Sequence, residues 1–115
     1  MVKIFHITSR AEATEAARVG SYVPEAYDSD GFIHCSYSQQ VTRVANIHYR
    51  GREDMVLLEV DRERLSDPVV DENLDGGEEL FPHIYGRLPM SAVVAVHDFP
   101  CRENGQFELP DHLGA

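Results

Sequence analysis

Three of the six histidines stand in short apolar runs: Phe5-His6-Ile7-Thr8, Gly31-Phe32-Ile33-His34-Cys35-Ser36 and Phe81-Pro82-His83-Ile84-Tyr85-Gly86. An imidazole in such a run is costly to bury unless a partner satisfies it. Either a neighbour does so, or the ring lines a cleft. A ring lining a cleft can move a proton near neutral pH, hold a ligand hydroxyl, or ligate a metal. His6, His34 and His83 together would suit a catalytic zinc with an open fourth position. No HxH or HxxxH spacing supports that arrangement.

Period-two alternation puts Phe32, His34 and Ser36 on one strand face, with Ile33 and Cys35 on the other. The same rule groups Phe81, His83 and Tyr85. A cleft lined by His6, His34, Ser36, His83 and Tyr85 follows if these strands meet, with Glu79 near its rim. Ser36 lacks the GxSxG frame of a hydrolase nucleophile. Cys35 reads as a small buried hydrophobe. Arg43, Arg50 and Arg52 form the main basic cluster. A helix C-terminus favours such cations, and planar guanidinium forks also grip phosphate.

The elements that must position these groups are legible in outline. Val2–Thr8 reads as a strand apolar on both faces, hence central in a sheet. Ser9 and Glu12 form a capping box opening a helix to about Val19, which Gly20 stops. Ala13, Ala16 and Ala17 give that helix a small-residue face. Residues 21–30 read as a loop whose Tyr22 and Tyr27 could line a groove. A second helix is expected from a Ser38 cap to about Tyr49, with Val41, Val44, Ala45 and His48 on one face. Met55–Val60 is the clearest strand. Pro68-Val69-Val70 suits an edge strand, since proline would break a central ladder. Val93–Phe99 is the last firm strand. The grouping predicts a single small α+β domain over residues 1–99, with about two helices and a mixed, mostly antiparallel sheet. Residues 100–115 read as a partly ordered tail with a short strand near 106–109.

A length of 115 residues and an apolar fraction of 43% fit one domain with one core. The net charge is −10, and residues 53–79 hold eleven acids against Arg62 and Arg64. Such a band repels phosphate backbones and argues against general nucleic-acid binding. No run approaches the ~18 apolar residues of a membrane span. The N-terminus lacks a secretory pattern, so a soluble cytoplasmic protein is expected. The two cysteines, Cys35 and Cys101, make no CxxC.

In order and spacing, the FHIT, FIHCS, VLLEVD and ELFPHIYG segments between residues 5 and 86, followed by Leu88-Pro89, resemble DUF952, a bacterial family of unknown function. That family is in turn distantly similar to the ADP-ribosyltransferase-like fold, which binds NAD or ADP-ribosylated intermediates in a cleft between two small sheets. The resemblance implies His6 as the early-strand histidine, Tyr85 as an aromatic group against nicotinamide, and Glu79 as a late acid. Neither common catalytic triad of that fold is copied in full.

Three functions stay open. The first is an enzyme handling NAD, ADP-ribose or another nucleotide. Glu79 would stabilise an oxocarbenium-like ribose, His6 and His83 would hold ribose hydroxyls, and Arg43 or Arg52 would meet the pyrophosphate. The second is a module that binds a small metabolite or nucleotide in the same cleft without turnover. The third is the histidine-ligated metal site.

Overall fold

The computed structural model describes residues 2–74 and 76–113. The strand-forming run Met55–Asp61 (β4) is its centre, with all seven residues buried. β4 is flanked by Lys3–Ser9 (β1) and Val93–Asp98 (β8), antiparallel on both sides, in the order β1-β4-β8. A second three-stranded sheet runs Ile33–His34 (β3), Phe81–Ile84 (β6), Val69–Glu72 (β5), again antiparallel. Ser21–Tyr22 (β2) and Leu88–Pro89 (β7) form a small ribbon. The fold is thus a small α+β domain built on antiparallel sheets.

Both faces of the β1-β4-β8 sheet are covered, which explains the apolar residues on both sides of β1 and β4. On one face Ile4, Val56, Leu58 and Val60 meet Ala13 and Ala16 of the helix Arg10–Val19 (α1), together with Tyr22, Ile33, Ile84 and Leu88. On the other, Phe5, Ile7, Met55 and Leu57 meet Val41 and Ala45 of the helix Ser38–His48 (α3), with Phe99 and Phe107.

Several expectations change in detail. Only half of the capping box forms. The Glu12 N–H donates to Ser9 Oγ at 3.2 Å, but the Glu12 carboxylate turns to the Thr8 hydroxyl. Ala17 faces outward. α3 is capped one residue earlier than expected, by Tyr37, whose N–H donates to Gln40 Oε1 at 2.9 Å. The loop over 21–30 contains β2 and a one-turn helix, Tyr27–Asp30 (α2). β1 flanks β4 and does not lie between two full strands, because among the described residues its far edge pairs only with Ser36. β5 lies at the edge of its sheet, where Pro68 is tolerated.

The segment after Phe99 forms no strand at 106–109. It folds back so that Phe107 is buried, its ring centroid 4.9 Å from that of Phe99. The Phe107 N–H donates to Asn46 Oδ1 at 2.6 Å. The hydrophobic core therefore extends beyond residue 99.

Gly86 shows why the FPHIYG run ends in glycine. A Cβ there would overlap the Asp67 carboxylate and stand 2.7 Å from the Asp67 Cβ. The neighbouring Tyr85 N–H is bonded to the Pro68 carbonyl at 2.9 Å, so the two chains cannot part freely. Gly86→Ala is expected to lower stability by about 1–3 kcal/mol, as overpacking does. A urea midpoint equal to that of the unchanged protein would contradict this.

Candidate functional site

The 33–36 segment changes partners midway. Ile33 and His34 pair with Ile84 and His83, and the Cys35 N–H donates to the Pro82 carbonyl at 3.0 Å. Ser36 then exchanges both backbone bonds with Phe5, each at 2.8 Å. Among the described residues this bridge is the one backbone pairing between the two three-stranded sheets. In an antiparallel ladder alternate residues face the same edge. Phe5 uses its N–H and C=O on Ser36, so Ile7 presents its own on the same side, where no strand among the described residues pairs with it.

A cavity of about 230 Å³ opens beside this bridge, lined by Phe5, His6, Ile7, His34, Ser36, Val44, His48 and Tyr49. It brings together three residues expected at a site: His6, His34 and Ser36. Val44, His48 and Tyr49 come from the C-terminal part of α3 and its cap. His48 has the helical spacing of the buried face, but the helix ends there and leaves it exposed at the mouth. Among the described residues no side chain bonds the Ser36 hydroxyl, although the residue is only 2% exposed.

His6 is 8% exposed. Its Nδ1–H donates to the His34 carbonyl at 2.7 Å, which leaves Nε2 as an acceptor 2.8 Å from the Tyr22 hydroxyl. The Tyr22 oxygen lies 3.1 Å from Thr8 Oγ1, and the Thr8 hydroxyl donates to Glu12. Burial pushes the His6 pKa below its ordinary value, against smaller opposing effects of the His34 carbonyl and the Glu12 charge. The ring is therefore neutral, and both of its nitrogens are occupied. Burial, helped by the Glu12 charge, raises the Tyr49 pKa and keeps it a phenol. Burial likewise drives the Cys35 thiol far up, in keeping with an inert packing role.

His83 and Tyr85 lie outside this cavity. They belong to a second hollow and its surround on the outer face of β3-β6-β5, also about 230 Å³, lined by Asp30, Phe32, His34, Glu72, Asn73, Leu74, Phe81 and His83. His34 borders both. The two strand faces expected from alternation do meet here: the His34 and His83 ring centroids are 5.0 Å apart, and Phe32 contacts Tyr85 at 5.6 Å. His83 Nδ1 donates to Glu72 Oε1 at 2.9 Å, and the Tyr85 hydroxyl donates to the same oxygen. Those two bonds, Tyr85 foremost, hold the Glu72 carboxyl below its usual range.

The remaining candidates stand elsewhere. Glu79 pairs with Arg43 and accepts from Gln40 Nε2 at 3.1 Å, so neither lines the cavity that holds His6. Arg52 is bidentate on Asp54 at 2.8 Å. Surface carboxylates thus neutralise both arginines expected at a pyrophosphate. The zinc arrangement is not formed either. His6 turns inward to Tyr22, and among the described residues no three metal-ligating side chains converge.

Sequence reasoning missed Glu72 and Tyr49 as lining groups, and also the pair His97 and His112. His97 Nε2 donates to the buried Glu59 at 2.7 Å, and His97 Nδ1 lies 3.1 Å from His112 Nε2. No local signal marks these contacts, because each joins elements far apart in the chain.

Comparison with solved structures finds protein CC0527 from Caulobacter crescentus. Its crystal structure is 36% identical with a TM-score of 0.86, covering 96% of this chain and 97% of that one. Its solution structure is 36% identical with a TM-score of 0.85, covering 99% and 98%. Comparison with curated proteins gives no match. A family model described as "Protein of unknown function (DUF952)" matches residues 7–96, a span that contains both hollows except for Phe5 and His6 at the rim of the first. By that match and by the likeness over nearly the whole fold, this chain belongs to the DUF952 family.

Proposed function

We propose that the cavity between β1 and β3 binds the flat, uncharged end of a nucleotide-type ligand such as NAD or ADP-ribose, and holds it without turnover. The observation that carries this reading is the lining. An unpaired strand edge at Ile7 offers one donor and one acceptor side by side, the Ser36 hydroxyl stands free among the described residues, and Phe5, Val44 and Tyr49 form apolar walls. An adenine edge, with its N6–H donor beside a ring-nitrogen acceptor, carries the complementary pair. Ligand pockets usually enclose about 300–1,000 Å³. At about 230 Å³ this one suits a single ring, with the rest of the ligand outside.

A site where two small sheets meet is in keeping with an ADP-ribosyltransferase-like architecture. Cleavage of a glycosidic bond has less support, since the described residues lining the cavity include no carboxylate to stabilise a ribosyl cation. Glu79 would have to leave Arg43 to serve.

Thermal unfolding tests the proposal. NAD, ADP-ribose, adenosine and nicotinamide are the probes. A ligand at a hundred times its Kd adds about 2.7 kcal/mol, or ~10 °C in Tm for a domain of this length. Ser36→Ala should weaken the response by about tenfold in affinity, the effect of one lost hydrogen bond. No shift with any probe, or an equal shift in Ser36→Ala, would overturn it.

A further inference from the structure

His83, which lines the second hollow, carries a buried polar atom that has no hydrogen-bond partner among the described residues, Nε2. His83 is 3% exposed. Its Nδ1–H is committed to Glu72, and its ring lies flat on Phe32, with centroids 4.1 Å apart and planes 17° from parallel. In the neutral ring this arrangement fixes tautomer and direction and leaves Nε2 as a lone-pair acceptor. A buried acceptor with no donor is unfavourable and calls for an explanation.

We propose that this hollow is a binding site for a neutral hydroxylated ring, a monosaccharide or the ribose of an unphosphorylated nucleoside, with one ligand hydroxyl donating to His83 Nε2. The lining favours that chemistry in three ways. Asp30, Glu72 and His83 supply acceptors, which suit a molecule rich in O–H donors. Phe32 and Phe81 supply aromatic walls for the C–H faces of a sugar ring. Two carboxylates line the hollow with no lysine or arginine among its described residues, so phosphorylated sugars are repelled. The role of Glu72 is positioning: it turns the imidazole, and Tyr85 fixes Glu72 in turn. The site stands independently of the cavity beside β1, although His34 borders both.

Nitrogen NMR of isotope-labelled protein tests this directly, with methyl β-ribofuranoside, methyl glucoside and adenosine as probes. In the free protein His83 Nε2 should resonate where an unprotonated, unbonded imidazole nitrogen does. A binding probe should move it upfield and saturate, while Nδ1 keeps its position. His83→Phe, which keeps the ring stack and removes the acceptor, should weaken binding by about 10- to 100-fold. Ser36→Ala should leave it unchanged, which separates this site from the other cavity. The proposal is overturned if Nε2 is already hydrogen-bonded in the free protein, if no neutral probe moves it, or if a simple alkylammonium ion moves it as strongly as the sugars do. Should His83→Phe fail to fold, the resonance of the unchanged protein still decides.

Discussion

Phe107→Ala is expected to remove about 3–5 kcal/mol of folding stability, the usual cost of deleting a buried aromatic ring. Phe107 is 2% exposed and packs in the core layer that also holds Phe99, Leu57, Val41 and Ala45. Phe99 and Leu57 are themselves enclosed and cannot move in to refill the space, which leaves only partly buried neighbours such as Leu109 and Val44 to close on it. Urea unfolding is the measurement: the midpoint should fall while the slope stays the same. Val19→Ala, at a position 54% exposed, serves as the control and should stay within about 0.5 kcal/mol. A Phe107→Ala midpoint as high as that of the control would mean that the segment from Pro100 to Leu113 contributes little to folding.

The second large effect is at His6. His6→Ala leaves the His34 carbonyl without its donor, leaves the Tyr22 hydroxyl only the longer bond to Thr8 Oγ1, and opens a void between β1 and β2. About 3 kcal/mol is expected at neutral pH, combining lost packing with polar groups left unsatisfied. The pH dependence identifies the cause. Burial lowers the imidazole pKa in the fold, so below about 6.5 the unfolded chain takes up a proton that the folded one refuses. The stability linked to neutral His6 is therefore complete above that pH and is lost as pH falls towards the folded-state pKa. The slope can approach 1.4 kcal/mol per pH unit for one proton. Stability measured from pH 7 down to about 5 should fall faster in the unchanged protein than in His6→Ala. Parallel lines would show that His6 does not titrate differently between the two states.

Much of this architecture could be read in the sequence, because burial leaves a mark in composition. Met55–Val60 is apolar on both faces because both faces are covered. The alternation in FIHCS and FPHIYG grouped His34 with Phe32 and His83 with Tyr85, and those rings do share one sheet face. Two partner choices were not legible. Local pattern cannot show that Ser36 leaves β6 for β1, and that exchange divides the expected cleft into two hollows. Nor does it show that Glu79 meets Arg43, or Phe107 meets Phe99, since these contacts depend on how distant elements pack. Tyr22 is an intermediate case. Its place ahead of the histidine strand drew attention to it, but its hydroxyl ends at His6 and not at solvent.

The lone Phe5–Ser36 bridge has a mechanical meaning. Each three-stranded ladder is stiff within itself, yet only one pair of amides couples them along this border. The remaining coupling is carried by side chains: the His6 imidazole, which ties β1 to the His34 carbonyl, and the shared core of Ile4, Ile33, Val60 and Ile84, so the shape of the cavity is set by packing more than by ladder rungs.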